Sequence, residues 1–302
     1  MRSTWSARMH RTNAPVILRF ALGTLAACGT VLLASCRQVG VLDPQGPVSA
    51  AEKLILFNAT GIMLVVVAPV IVLTLAFAWW YRASNKRAKF RPDLVHAGSI
   101  ELVTWSIPAM VVILLGGVAW IGAHDLDPRA KLHSDVKPLR VEVVSLDWKW
   151  LFIYPELHVA SVNQLIVPVG TPIEFTLTSA TVMNAFFIPQ LGTQIYTMPG
   201  MSTHLNLMAD RAGSYPGLSS HFSGDGFSDM HFMVQALPTA QFDAWVVNAR
   251  SGTATLDAGA YGELAKPSKN VASRTYADVD PMIYADILRL AAPMTPSTSE
   301  SN

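Results

Sequence analysis

Two uncharged stretches constrain this chain more than anything else in it. Leu54 to Tyr81 runs 28 residues without a charged side chain, and Leu102 to Ala123 runs 22. A hydrocarbon layer about 30 Å thick is crossed by roughly 20 apolar residues rising about 1.5 Å each, so both stretches read as membrane-spanning helices. Pro69 and Pro108 interrupt them, which membrane helices tolerate because neighbouring groups satisfy the freed carbonyls. Trp79, Trp80 and Tyr81 close the first stretch and Trp120 lies near the end of the second, as interfacial aromatics do. Composition agrees: charged residues are 14% of the chain, against about 25% in an average soluble domain.

The segment between the two spans carries Arg82, Lys86, Arg87, Lys89 and Arg91 against one acid, Asp93. Basic residues stay on the cytoplasmic side, so residues 82–98 are expected to be cytoplasmic and both flanks external. The topology is then a hairpin, with spans at about 54–81 and 101–123, holding a large outer domain at a bacterial inner membrane. Glu101 stands where the second span begins, within Ser99-Ile100-Glu101-Leu102-Val103-Thr104-Trp105. An ionisable group at membrane depth is costly and usually functional. The alternative is an acid that snorkels to the interface, which position alone favours slightly; a partner subunit would shift that balance.

Ahead of the hairpin, Arg2, Arg8, Arg11 and Arg19 precede an apolar run from Phe20 to Ala34. A basic region followed by a short apolar core and small residues is the pattern of a signal peptide. Leu33-Ala34-Ser35-Cys36 resembles the bacterial lipobox. That resemblance implies lipid attachment to Cys36 and removal of residues 1–35, leaving 36–124 as a lipidated amino terminus plus hairpin. An uncleaved anchor with an incidental cysteine is the alternative. The chain's two cysteines are Cys28 and Cys36, so loss of Cys28 leaves no internal disulfide to staple the outer domain.

Residues 138–238 read as β structure. Leu139 to Tyr154 is rich in Val and aromatics, Leu165–Pro172 runs into a turn, and Ile173–Thr178 alternates strictly. His204–Met208 and His231–Ala236 repeat the pattern. Short period-two segments punctuated by Gly and Pro indicate a β-sandwich or barrel. After Pro238 the texture changes: Thr239–Arg250 and Met282–Leu290 look helical. The 239–302 segment is too short and polar to fold alone, and is expected to pack on the sandwich or on a partner, with a frayed end. A net charge of +1 with no basic block beyond the short run near residue 86 excludes a nucleic-acid partner.

This order of parts resembles subunit II of the haem–copper terminal oxidases. Three stretches carry the likeness: Glu101-Leu102-x-x-Trp105-x-x-Pro108, Asp147-Trp148-Lys149-Trp150-x-Phe152-x-Tyr154, and the pair Met183–Pro189 with Phe222–Met233. The resemblance implies a cupredoxin-like β-sandwich behind a two-helix hairpin, with a short α-helical carboxy-terminal tail. It implies assembly with a catalytic subunit I and other oxidase subunits within membrane lipid. Copper-bearing members hold two copper ions with His, Cys-x-Glu-x-Cys, His and Met, since thiolate and imidazole suit that metal. Here Asn184 stands at the first His, Phe222 and Gly226 at the cysteines, Gly224 at the Glu and Met230 at the second His; only Met233 matches. His204, His221 and His231 follow no common ligand spacing.

The missing ligands resemble the copper-less bo-type quinol oxidase branch. Ubiquinol would then deliver electrons to haem in the large subunit, where haem and copper reduce oxygen and protons are pumped. No cofactor would sit in this chain. Glu101 would lie near the mouth of a proton channel in the large subunit, and Trp148 and Trp150 would be sandwich core and interface. Two other readings compete: a cytochrome c oxidase subunit II, which the lost ligands oppose, and a membrane-tethered lipoprotein scaffold without a respiratory role.

Overall fold

The computed structural model describes residues 40–89 and 97–291. The signal segment, Cys36, Arg91, Asp93 and the end of the tail lie outside the described residues. Helix α1 spans Pro47–Trp80 and helix α2 spans Gly98–Asp125. At about 1.5 Å per residue both exceed the thickness of a hydrocarbon layer. Their apolar side chains face outward along almost the whole length, as expected of helices solvated by lipid. Gly122 lets α2 approach α1, since a Cβ there would meet Ile55 Cδ1 at 2.8 Å.

Outside the hairpin, two sheets face each other. Strands β1 (Leu139–Leu146), β2 (Lys149–Tyr154), β3 (Val159–Val162), β5 (Ile173–Ser179), β8 (Thr203–Leu207) and β12 (Arg274–Tyr276) form the first, in the order β12-β3-β2-β1-β5-β8. Strands β4 (Gln164–Pro168), β6 (Asn184–Phe187), β7 (Ile195–Thr197), β9 (Gly213–Ser219) and β10 (His231–Leu237) form the second, in the order β4-β10-β9-β6-β7. The run from Leu139 to Tyr154 is thus two strands. They pair antiparallel around a two-residue turn, with Leu146 opposite Lys149.

The core between the sheets is aromatic. Phe186 stacks on Phe232, with centroids 5.1 Å apart and planes 7° from parallel, and Trp150 meets both rings edge-on. Gly217 makes room: a Cβ there would fall 2.1 Å from the Phe232 ring. Tyr154, also fully buried, donates its hydroxyl to Ile166 O and accepts from Ile166 N.

A simple in–out alternation fails at β2, where all six residues are buried. The reason is the carboxy-terminal segment. Helix α3 (Thr239–Arg250) covers the outer face of β4, placing Phe242 and Val246 on Ile166. Beyond it come β11 (Thr255–Leu256), helix α4 (Ala258–Ala265), β13 (Asp278–Val279) and helix α5 (Ile283–Leu290). Their Leu256, Leu264, Val279, Ile283 and Ile287, with Tyr276 of β12, form a second core with Val144, Leu151 and Ile153 on the outer face of the first sheet. Strand β12 extends that sheet beside β3. The segment therefore packs on the sandwich, and it holds three short strands besides its helices.

Candidate functional site

The loops that resemble a copper site lie at one end of the sandwich, around the start of β6 and the β9–β10 connection. Asn184 is 1% exposed. Its Oδ1 accepts from Ser219 Oγ at 3.1 Å and its Nδ2 donates to Val182 O at 3.2 Å. Ser219 N in turn donates to Met230 O at 3.2 Å. Met230 is buried, with Ser223 Oγ 3.9 Å from its sulfur. A neutral amide and a thioether thus occupy the interior of this end, and their polar partners come from the protein itself.

Trp148 fills the next position. It sits in the β1–β2 turn with φ 63°, a conformation that costs a bulky L-residue about 1–2 kcal/mol. Its indole is held by Nε1 donating to Ser223 O at 3.1 Å and by the Lys269 ammonium 5.4 Å above the ring. The indole lies against Gly226, where a Cβ would fall 2.4 Å from ring carbons. Gly224 carries φ +103°, which suits only glycine. Phe222 is 73% exposed, edge-on to Phe227. Met233, the one ligand-type match, lies on the outer side of β10, away from Phe232 and Val234 in the core. The six positions therefore offer one buried thioether, one buried amide, two glycines, and an outward Phe and Met. Dinuclear copper requires bridging thiolates and imidazoles, and this donor set does not fit it. His204 and His231 are exposed strand residues, and His221 packs edge-on against Tyr196.

Lys149, between the two tryptophans, has a role that sequence reading missed. It is buried, and its ammonium donates to Lys266 O at 2.8 Å, Ser268 Oγ at 2.6 Å and Asp147 O at 3.3 Å. All three of its protons are used. Burial lowers its pKa, Asp147 opposes that shift, and Arg274 adds to it. The signal available in sequence was a lysine inside an otherwise apolar strand.

The opposite end joins the membrane helices. Gln45 N donates to Gln190 O at 2.7 Å, Asp210 N donates to Gln45 O at 2.8 Å, and Ser49 Oγ donates to Gln190 O at 2.7 Å. Gly46 permits this threading, since a Cβ would lie 2.2 Å from Met208 O. On the α2 side, Asn206 N donates to Pro128 O, and its Nδ2 to the carbonyls of Arg129 and Ala130. Both helices are thus tied to the sandwich by backbone-directed bonds.

The comparisons with known proteins agree with this arrangement. A family model described as cytochrome c oxidase subunit II, periplasmic domain, matches residues 139–237, and one described as COX aromatic rich motif matches 250–290. The cytochrome bo(3) ubiquinol oxidase subunit 2 of Pseudomonas aeruginosa is 46% identical over 268 residues, 89% of this chain and 81% of the relative. The chain belongs to the ubiquinol oxidase subunit 2 family. The ubiquinol oxidase subunit 2 of Acetobacter aceti is also 46% identical, across 88% of this chain and 86% of its own. The quinol oxidase subunit 2 of Bacillus cereus is 36% identical, across 78% and 82%.

In this subunit 2 family chain, Glu101 lies in the first turn of α2. Its backbone N–H bonds Ala97 O, and Thr104 turns its hydroxyl back to the carbonyls of Ile100 and Glu101. The side chain is exposed among exposed apolar neighbours, including Leu102 and Trp105. Among the described residues it has no hydrogen-bond partner. A negative charge in a first helical turn is favoured by the helix dipole.

A cleft of about 630 Å³ lies on the part of the first sheet that the carboxy-terminal segment leaves open. Arg140, Glu142, Glu174 and His204 line it. Glu142 shares its strand face with Val144 and Leu146 at the border of the second core, and burial pushes its carboxyl up to about 7.

Proposed function

We propose that the chain is a non-redox subunit of a proton-pumping bacterial quinol oxidase, which oxidises ubiquinol and reduces oxygen to water. Its family membership makes it a subunit of an oxidase complex at the inner membrane. One observation carries the finer reading. The loops that would hold copper are packed and hydrogen-bonded internally through Asn184, Ser219, Met230 and the Trp148 indole. Haem and copper then belong to the large subunit, together with the electron route from quinol.

What the chain supplies is mechanical. The hairpin and the sandwich are clamped at Ser49–Gln190 and at Asn206, so contact made by one constrains the other. A subunit gripping its partner both within the membrane and outside it braces that partner. Glu101, unpartnered among the described residues, is the candidate at the mouth of a proton channel of the large subunit. Cys36 is the candidate lipid attachment point after removal of residues 1–35. Residues 36–124, 138–238 and 239–302 divide the work between anchoring, the copper-less sandwich and its covering arm.

The test is the purified complex. Oxygen uptake driven by quinol and not by reduced cytochrome c, with no copper retained by the sandwich, is the expected result. Copper bound stoichiometrically to the sandwich would overturn it. For Glu101, Glu101→Ala in the assembled complex should slow turnover and proton uptake without loss of haem. Unchanged rates would return Glu101 to a plain interfacial acid. Loss of radiolabelled lipid in Cys36→Ala checks the attachment point.

A further inference from the structure

The turn that follows α1 is folded. Asn85 organises it: Nδ2 donates to Trp80 O at 2.6 Å, its backbone N–H donates to Arg82 O, and its Oδ1 accepts from Arg87 N at 3.0 Å. Arg82 Nε donates to Ser84 Oγ at 3.0 Å. The effect is to present Arg82, Lys86, Arg87 and Lys89 together, all exposed, with no acid between them. Among the described residues none of the four makes an ion pair. The Arg82 guanidinium lies 4.9 Å from the Trp79 ring centroid. That contact holds the cation at the level of the aromatic belt, where lipid headgroups lie.

We infer that this turn binds the phosphate of an anionic membrane lipid. Topology alone accounts for the sign of its charge, because basic loops remain inside. It does not account for the fold, since a solvated linker would serve that purpose as well. One cation held on an interfacial tryptophan, with three more exposed on the same folded turn, matches a layer of phosphodiesters in charge and in depth. Clusters of basic residues directly cytoplasmic of a span attract anionic leaflets, and the attraction decays within a Debye length. A free phosphate shares the chemistry but is not concentrated at the belt. An acidic face of a neighbouring subunit would cover the turn whatever the lipid.

The experiment uses the intact oxidase complex in nanodiscs of phosphatidylcholine, with or without phosphatidylglycerol. Acylation of Lys86 and Lys89 by a soluble amine reagent is followed by peptide mass spectrometry, with Lys266 of the outer arm as the internal reference. Phosphatidylglycerol should slow both lysines several-fold and leave Lys266 unchanged, and high salt should restore the rate. Inorganic phosphate added to phosphatidylcholine discs should have no such effect. Arg82→Gln combined with Arg87→Gln should weaken the protection. Equal rates in the two discs would overturn the inference, whether both are fast, as in a merely solvated turn, or both slow, as under a neighbouring subunit. Equal protection by inorganic phosphate alone would overturn the lipid as its source.

Discussion

The two regions that resemble functional parts of an oxidase subunit are finished in opposite ways. At the sandwich end, Asn184, Ser219, Met230 and the Trp148 indole satisfy and fill one another. At the start of α2, Glu101 has an exposed side chain with no partner among the described residues. A satisfied cluster explains itself inside the chain, and its residues should register as stability. An acid on an apolar helix with no partner among the described residues should register as function in the assembled complex.

The largest effect should come from the aromatic core beneath the loops. Trp150→Ala removes the ring that meets Phe186 and Phe232 edge-on, and should cost about 3–5 kcal/mol in denaturant unfolding of the full chain. A smaller loss would mean that the loop end collapses to fill the cavity. Gly226→Ala drives a methyl into the Trp148 ring and should cost about 1–3 kcal/mol. Phe222→Ala, at the exposed counterpart, should stay within about 0.5 kcal/mol. If the two variants matched, the indole would not be filling that position.

Asn184→Ala should cost about 1–3 kcal/mol, because it leaves the Val182 carbonyl without its amide donor and the Ser219 hydroxyl with His221 O alone. Thermal unfolding of the complex with a near-parental baseline would sink that account.

Glu142 sharpens the contrast, being an acid whose surroundings lie within the chain. Its folded pKa of about 7 exceeds the ordinary 4.5 because of burial. Between those values the folded state keeps a proton that the unfolded state has lost. Stability therefore falls as pH rises from about 4.5 to about 7, and the cost is constant above that. Glu142→Gln should remove this slope, making the variant the more stable of the two at pH above 7 and nearly equal below 4.5. Parallel stability-against-pH curves would contradict it. The smallest stability change is expected for Glu101→Ala, whose effect should be confined to turnover and proton uptake by the complex.

Much of the architecture was legible in residue order. The hairpin follows from two charge-free runs and the basic segment between them, because hydropathy is a property of consecutive residues. Strands β5, β8 and β10 followed from local alternation, and helix α3 from its texture. Strand β2 departed from alternation because a segment more than a hundred residues later covers its second face, as the Lys149–Lys266 bond shows with a separation of 117. The absence of cysteine from the copper-loop positions was equally legible, since a missing thiolate is visible in the letters. How the vacated end is filled was not: Trp148 reaches Ser223 across 75 positions and Asn184 reaches Ser219 across 35.

Residue order alone shows that the chain enters a membrane twice, carries a β domain outside it, and has no cysteine at the copper-loop positions. These depend on which residues are present and on their immediate neighbours. It took the folded chain to show that the copper-type loops close on themselves, that the carboxy-terminal segment makes a second core, and that Glu101 has no partner among the described residues. Those outcomes depend on side chains brought together across long separations, where packing and hydrogen-bond geometry choose among contacts that local pattern leaves open.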